Sequence, residues 1–87
     1  MCNKNTRRIY LVFKIKIGNI SKAIDFVKVC EKFKEDINYC YGRFIIDAKS
    51  LLGILSCNVE EPANVEILTT NTAVVDEFKE AIKEWIL

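Results

Sequence analysis

The chain has no histidine at any of its 87 positions. Histidine is the side chain that most readily takes up and passes on a proton, a metal ion or a phosphoryl group near neutral pH. A mechanism that runs through a phosphohistidine, a Ser/His pair or a Cys/His pair within this chain is therefore excluded.

Sequence signals for metal binding and for disulfides are also missing. The four cysteines, Cys2, Cys30, Cys40 and Cys57, include no Cys-x-x-Cys pair, and there is no histidine ligand to complement them. Cys30 falls on the apolar face of a predicted helix, where a thiol behaves as a small hydrophobic group. We therefore expect reduced thiols, no metal site and no cofactor.

The chain also lacks a strong net charge and a long apolar run. Thirteen lysines and arginines balance twelve acidic residues, for a formal charge of +1. The chain therefore lacks the positive electrostatic potential that would favour binding to nucleic acid or to an anionic membrane. The longest apolar window, residues 9–17, is shorter than the roughly 18–20 residues of a membrane span, and the N-terminus has no signal-peptide pattern. We expect one small cytoplasmic domain over residues 8–87, after a solvated tail over residues 1–7.

Two different periodicities follow one another in the first third of the chain. Apolar residues alternate along residues 8–17, which predicts a β-strand with one buried face. The period then becomes helical and predicts a helix over residues 20–34, capped by Asn19 or Ser21. The face of this helix that we expect to be buried carries Ile20, Ala23, Phe26, Val27, Cys30 and Phe33.

The middle of the chain predicts a hairpin. Residues 36–41 alternate again, and the turn Gly42-Arg43 leads into a second strand over residues 44–47. Residues 48–57 fit a buried strand or a short helix. The helix is favoured because three apolar residues share one helical face: Leu51, Ile54 and Leu55.

The last third predicts a strand and a helix. Residues 64–70 form the strand, which buries Val65 and Ile67, and Thr72 is the expected N-cap of the final helix. The order βαββαβα indicates an α+β fold with helices on one face of a four-stranded sheet, antiparallel or mixed. Side chains expected on the opposite, solvent-facing side are Tyr10, Lys14 and Lys16.

Residues 47–56 carry the most specific motif of the chain. Their sequence, Asp-Ala-Lys-Ser-Leu-Leu-Gly-Ile-Leu-Ser, is similar to the second-helix signature of the histidine-containing phosphocarrier family (HPr) of the bacterial sugar phosphotransferase system. Residues 26–34 and 76–84 are similar to the first and last helices of that family. The resemblance covers nearly the whole chain after Arg7. It implies an open-faced β-sandwich in which three helices cover one face of an antiparallel sheet.

The phosphoacceptor histidine of HPr proteins lies in a Gly-x-His-x-Arg-Pro-Ala motif before the first helix. Residues 18–23 here are Gly-Asn-Ile-Ser-Lys-Ala. Asn19 or Ile20 therefore stands in the place of the histidine, and Ser21 or Lys22 in that of the arginine. The resemblance implies a disabled phosphocarrier site, with a weak anion site at Ser21 and Lys22 as the residual possibility.

Ser50 is the phosphorylatable family position that survives. In Gram-positive members, a dedicated kinase phosphorylates the matching serine, and this controls docking on a transcription regulator. The resemblance thus implies Ser50 as a regulatory phosphosite, with Lys49, Leu51 and Leu52 in partner docking. The alternative is that Ser50 caps the second helix and that Leu52 is simply exposed.

Three functions remain open from the sequence. The favoured one is a non-catalytic regulator similar to the catabolite-repression HPr paralogue, which also lacks the histidine and keeps the serine. The second is an unorthodox phosphocarrier, and the third is an interaction module of unrelated role. None of them is an enzyme. The expected partners are proteins (a serine kinase, a transcription regulator or a phosphotransferase-system component), with no nucleic acid and no membrane.

Overall fold

The computed structural model describes residues 12–87 of the chain. Their elements follow the predicted order βαββαβα, with a short 3₁₀ turn at the end. The strands are β1 (Val12–Ile15), β2 (Ile37–Tyr41), β3 (Phe44–Asp47) and β4 (Ala63–Ile67); the helices are α1 (Ile20–Glu31), α2 (Leu51–Leu55) and α3 (Thr72–Ala81), followed by the 3₁₀ turn Lys83–Trp85.

The four strands form one sheet in the order β1-β4-β2-β3, and every neighbouring pair is antiparallel. The predicted antiparallel sheet is therefore confirmed. β4 is central, with Val65 opposite Phe13 of β1 and Tyr39 of β2. β3 lies at an edge. Gly42 has a φ of 60° in the two-residue turn between β2 and β3, a conformation that glycine adopts without strain.

One apolar core joins the sheet to the helices. The ring of Phe26 on α1 meets Tyr39 and Trp85 edge-on, with centroids 6.3 and 5.3 Å apart. Phe33 meets Phe78 of α3 edge-on, at 5.4 Å. Such edge-to-face pairs stabilise a fold by about 0.5–1.5 kcal/mol beyond the contribution of the apolar area that they bury.

The predicted alternation of the first strand is confirmed where it is described. Ile15 and Ile17 are buried, while Lys14 and Lys16 are exposed. Residues 8–11 of the predicted strand, including Tyr10, lie outside the described residues, as does the predicted boundary between residues 7 and 8.

Several predicted element limits differ from the structure. β1 ends at Ile15 and not at residue 17, and β2 and β4 each begin one residue away from the predicted start. α1 ends at Glu31, not at residue 34, because the N–H of Lys32 turns back to the carbonyl groups of Val29 and Cys30. β4 ends at Ile67 and not at residue 70. The N-cap of α3 is Asn71 and not Thr72, since the Asn71 side chain accepts a hydrogen bond from the N–H of Ala73.

The burial of Ile20 was predicted wrongly. It is 61% exposed, whereas Ala23, Phe26 and Val27 of the same predicted stripe are buried. Ile20 is the first residue of α1, so no earlier turn of the helix covers it.

The sheet face opposite the core is not solvent-facing throughout. Cys40 of β2 and Glu66 of β4, which point to this face, are both buried. Asn38 donates a hydrogen bond to Oε1 of Glu66 at 3.0 Å. Cys40 is disulfide-bonded, so the expectation of reduced thiols is wrong for this residue.

Candidate functional site

The start of α1 is organised by Gly18 and Asn19. Gly18 has a φ of 107°, a conformation that side-chain-bearing residues rarely adopt, and its N–H donates to the carbonyl of Val59. Asn19 follows in extended conformation as the N-cap, and its Oδ1 accepts a hydrogen bond from the N–H of Lys22 at 2.9 Å. Of the two predicted caps, Asn19 is therefore confirmed and Ser21 is not.

The cap of α1 occupies one of the backbone donors that an anion could use. The free N–H groups of a first helical turn are what an anion binds, and the Asn19 side chain already occupies that of Lys22. Ser21 and Lys22 are exposed. The carboxamide of Asn19 thus satisfies from within the chain one of the donors that a phosphate would use.

The start of α2 has the same construction with different chemistry. Oδ1 of Asp47 accepts from the N–H of Lys49 at 2.9 Å, and its carbonyl accepts from the N–H of Ser50 at 2.9 Å. Ser50 is the N-cap, and its Oγ accepts from the N–H of Gly53 at 3.1 Å. This cap is a hydroxyl and is half-buried.

Gly53 lets α2 pack closely on β3. A Cβ at this position would lie 2.7 Å from Cγ2 of Ile46 and 3.2 Å from Oγ of Ser50. Both distances are shorter than ordinary van der Waals contact. The glycine of the Ser-Leu-Leu-Gly sequence is therefore required by the contact between α2 and the sheet.

Comparison with known families identifies the family of this chain. A family model described as the PTS HPr component phosphorylation site matches residues 20–85. The chain belongs to the HPr family. It is a phosphocarrier-like protein of the phosphotransferase system. Members of this family interact with other proteins. HPr proteins are phosphocarriers rather than enzymes.

One solved structure shows the same fold. The crystal structure of HPr-C-His from Thermoanaerobacter tengcongensis has 23% sequence identity with this chain and a TM-score of 0.65, and the match covers 90% of each chain. No curated protein matches the sequence. The chain that the family model matches contains no histidine.

The three docking residues that the HPr resemblance implied differ in exposure. Leu52 is 83% exposed, as predicted from its position on α2. Leu51 is half-buried and packs against the core, and Lys49 is half-buried. Of the three, Leu52 presents the most apolar surface to a partner.

Two exposed apolar residues were not expected. Ile20 and Ile24 are both exposed on α1, which contacts α2, the helix of Leu52. Their spacing of four residues places them on one helical face. That spacing was available in the sequence, but it was masked by the strong apolar stripe of the buried face beside it.

The free thiols of the described residues are Cys30 and Cys57. Burial raises the pKa of the Cys30 thiol to about 12, and the nearby positive charge of Lys49 offsets only part of this effect. Since the thiolate is the reactive form, burial lowers the reactivity of Cys30 at neutral pH. Cys57 is half-buried and follows α2.

Residues 12–87 contain no group of three or more Cys, Asp or Glu side chains arranged to hold a metal ion. Over the same range, no helix has the length and apolar character needed to cross a membrane.

Proposed function

We propose that this HPr-family chain acts by binding proteins rather than by carrying phosphate, and that Ser50 is its regulatory phosphosite. The observation that carries the proposal is that the chain has no histidine and that α1 begins with an amide cap, Asn19. The family resemblance assigns the phosphorylated histidine to the position of Asn19 or Ile20. In this respect the chain is similar to the catabolite-repression HPr paralogue.

The chemistry of the α1 turn supports the loss of phosphocarrier activity. A phosphocarrier needs a nucleophile whose phosphoryl adduct is labile. The amide nitrogen of Asn19 is a poor nucleophile, and its oxygen is engaged with the N–H of Lys22. The side chain of Ile20 has no nucleophilic atom. A phosphate ester on Ser21 would be too stable to pass its group on readily.

The α2 turn supports Ser50 as the modified residue. In the proposed step, Oγ of Ser50 attacks the γ-phosphorus of ATP, ADP leaves, and the hydroxyl proton passes to a base of the kinase. The product carries nearly two negative charges at a helix start, where the helix dipole favours them. The modification would disturb the cap bond to Gly53, so it would alter α2 directly.

The surroundings of Ser50 suit a phosphorylation-dependent docking surface. Leu52 is exposed two residues away, and Ile20 and Ile24 are exposed on the contacting helix α1. Apolar side chains next to a phosphate fit a partner that offers an apolar pocket and an arginine, because arginine binds phosphate through paired hydrogen bonds. The partners fitting this proposal are a serine kinase and a transcription regulator of the cytoplasm.

Incubation with ATP and an HPr serine kinase tests the proposal. We expect intact-protein mass spectrometry to show the addition of one phosphoryl group, and peptide mapping to assign it to Ser50. Ser50→Ala removes the addition. Ser56→Ala is the matched control, because Ser56 is exposed at the other end of the same helix and should leave labelling unchanged.

Two results would contradict the proposal. One is an unmodified protein under conditions that label an ordinary HPr. The other is label that persists in Ser50→Ala.

A further inference from the structure

The free edge of the described sheet is formed by β3. This strand pairs with β2 on one side and has no strand on its other side within the described residues. Its apolar residues Phe44 and Ile45 are 62% and 50% exposed. An apolar edge strand presents unpaired backbone groups that another strand can bind.

The hairpin determines which backbone groups point outwards. Tyr41 and Phe44 flank the two-residue turn, so they form the hydrogen-bonded pair that closes the hairpin. Hydrogen-bonded and non-hydrogen-bonded pairs alternate along an antiparallel ladder. Ile45, opposite Cys40, therefore directs its N–H and C=O towards the free edge.

Two copies of β3 can be placed side by side in antiparallel orientation with Ile45 of one copy opposite Ile45 of the other. In this arrangement the residues around Ile45 are complementary between the copies. Opposed residues must point to the same face of a continued sheet. The register centred on Ile45 satisfies this condition, and it brings Phe44 of each copy opposite Ile46 of the other. It also brings Arg43 of each copy opposite Asp47 of the other, and both of these residues are exposed.

We propose that β3 pairs with β3 of a second copy of this chain, in that register, to form a twofold-symmetric dimer. The symmetry creates two Arg43–Asp47 contacts that flank the central Ile45 pair.

The helix side of β3 has room for the partner's aromatic ring. A groove of about 270 Å³ lies there, lined by Tyr41, Phe44, Ile46 and Cys57 among others. In the proposed register, Phe44 of the second copy lies over Ile46, at this groove. Each copy would thereby cover an apolar side chain that the monomer leaves partly exposed.

The proposed contact between the two β3 strands is small, so we expect it to be weak. Four strand residues per copy bury much less than the roughly 800 Å² per partner of a standard stable interface. We therefore expect a weak dimer that forms with increasing concentration. This proposal does not rest on the proposed function, because pairing of β3 requires neither the start of α1 nor the hydroxyl of Ser50. Asp47 takes part in both regions, since its Oδ1 also accepts a hydrogen bond from the N–H of Lys49.

Sedimentation equilibrium from about 10 µM to about 1 mM tests the proposal, a range suited to a contact of this size. The wild-type chain should shift from monomer to dimer across the range. Arg43→Asp and Asp47→Arg should each weaken self-association by about tenfold or more, because each places like charges opposite one another. An equimolar mixture of the two variants should restore dimers, since both flanking contacts are then between opposite charges.

Lys14→Asp is the matched control for Arg43→Asp. It makes the same change of charge at an exposed site on β1, the opposite edge strand, and should dimerise like the wild type. Near-ultraviolet circular dichroism of Trp85 verifies that each variant is folded. A wild-type chain that stays monomeric throughout, an Arg43→Asp variant that dimerises like the wild type, or a mixture that fails to associate would each overturn the proposal.

Discussion

The starts of α1 and α2 share one construction and differ in what they can do. In each, a polar N-cap accepts a hydrogen bond from the N–H three residues later: Lys22 in α1 and Gly53 in α2. The α1 cap is an amide, which cannot carry a phosphoryl group, whereas the α2 cap is a hydroxyl, which can accept one. The same cap geometry is therefore compatible with either side chain, and the cap residue determines whether a hydroxyl is present.

The two helices also differ in how they are held. α1 has twelve residues, with Ala23, Phe26, Val27 and Cys30 buried, while α2 has five residues with Ile54 buried. Most helical stability in proteins comes from packing of the apolar face. α1 is therefore held by more apolar packing than α2.

The largest expected effect on stability comes from removing the ring of Phe26. Phe26→Ala should lower the free energy of unfolding by about 3–5 kcal/mol, because it removes a fully buried ring that contacts Tyr39 and Trp85. Leu52→Ala on α2 should change it by less than about 0.5 kcal/mol. Urea unfolding measures both, and comparable losses in the two variants would remove the contrast between the helices.

Alkaline pH should destabilise the protein through α1. The Cys30 thiol titrates near 9 when unfolded, but its pKa is raised to about 12 by burial in the fold. Above pH 9 the unfolded state loses a proton that the folded state keeps, so stability is full below pH 9 and falls as pH rises. The loss is about 2 kcal/mol by about pH 10.5.

Urea unfolding at several pH values measures this slope. Cys30→Ala should reduce the slope, whereas Val27→Ala, a buried neighbour on α1, should lower stability equally at every pH. A Cys30→Ala variant with the wild-type slope would show that this thiol is not the group responsible.

The close packing of α2 gives a smaller effect. Gly53→Ala should destabilise the fold by about 1–2 kcal/mol, since the clash with Ile46 exceeds the gain in helix propensity. Ala73→Gly, at an exposed position of α3, shows the propensity contribution alone. An unchanged or raised stability of Gly53→Ala would indicate that Ile46 moves aside at no cost.

The caps themselves give the smallest effects. Asn19→Ala and Ser50→Ala should each cost about 1 kcal/mol, with the larger loss at Asn19 because it starts the longer, better-packed helix. Thermal unfolding measures the two losses. If Ser50→Ala costs more, α2 contributes more to the fold than its single buried residue indicates.

The sequence predicts the fold well, because its periodicities are strong. The helical stripe of α1 and the alternation around Gly42 depend on local spacing alone, and the structure confirms both elements. The limits of elements are less predictable, since adjacent polar residues such as Asn71 and Thr72 are both good caps and tertiary packing selects between them.

Parts of the candidate site depended on contacts between distant residues. The role of Asn19 as a cap was among the alternatives from the sequence, and so was that of Ser50. The contact of Gly53 with Ile46 and the edge position of β3 arise from the assembled sheet and helices. No local pattern in the sequence encodes them.

The most direct test of the central claim is incubation of the chain with Enzyme I and phosphoenolpyruvate, followed by intact-protein mass spectrometry. An ordinary HPr in the same mixture provides the positive control. We predict that the control gains one phosphoryl group and that this chain gains none. A phosphoryl group on this chain that is then passed to a downstream acceptor would contradict the account, because it would require a carrier residue other than histidine.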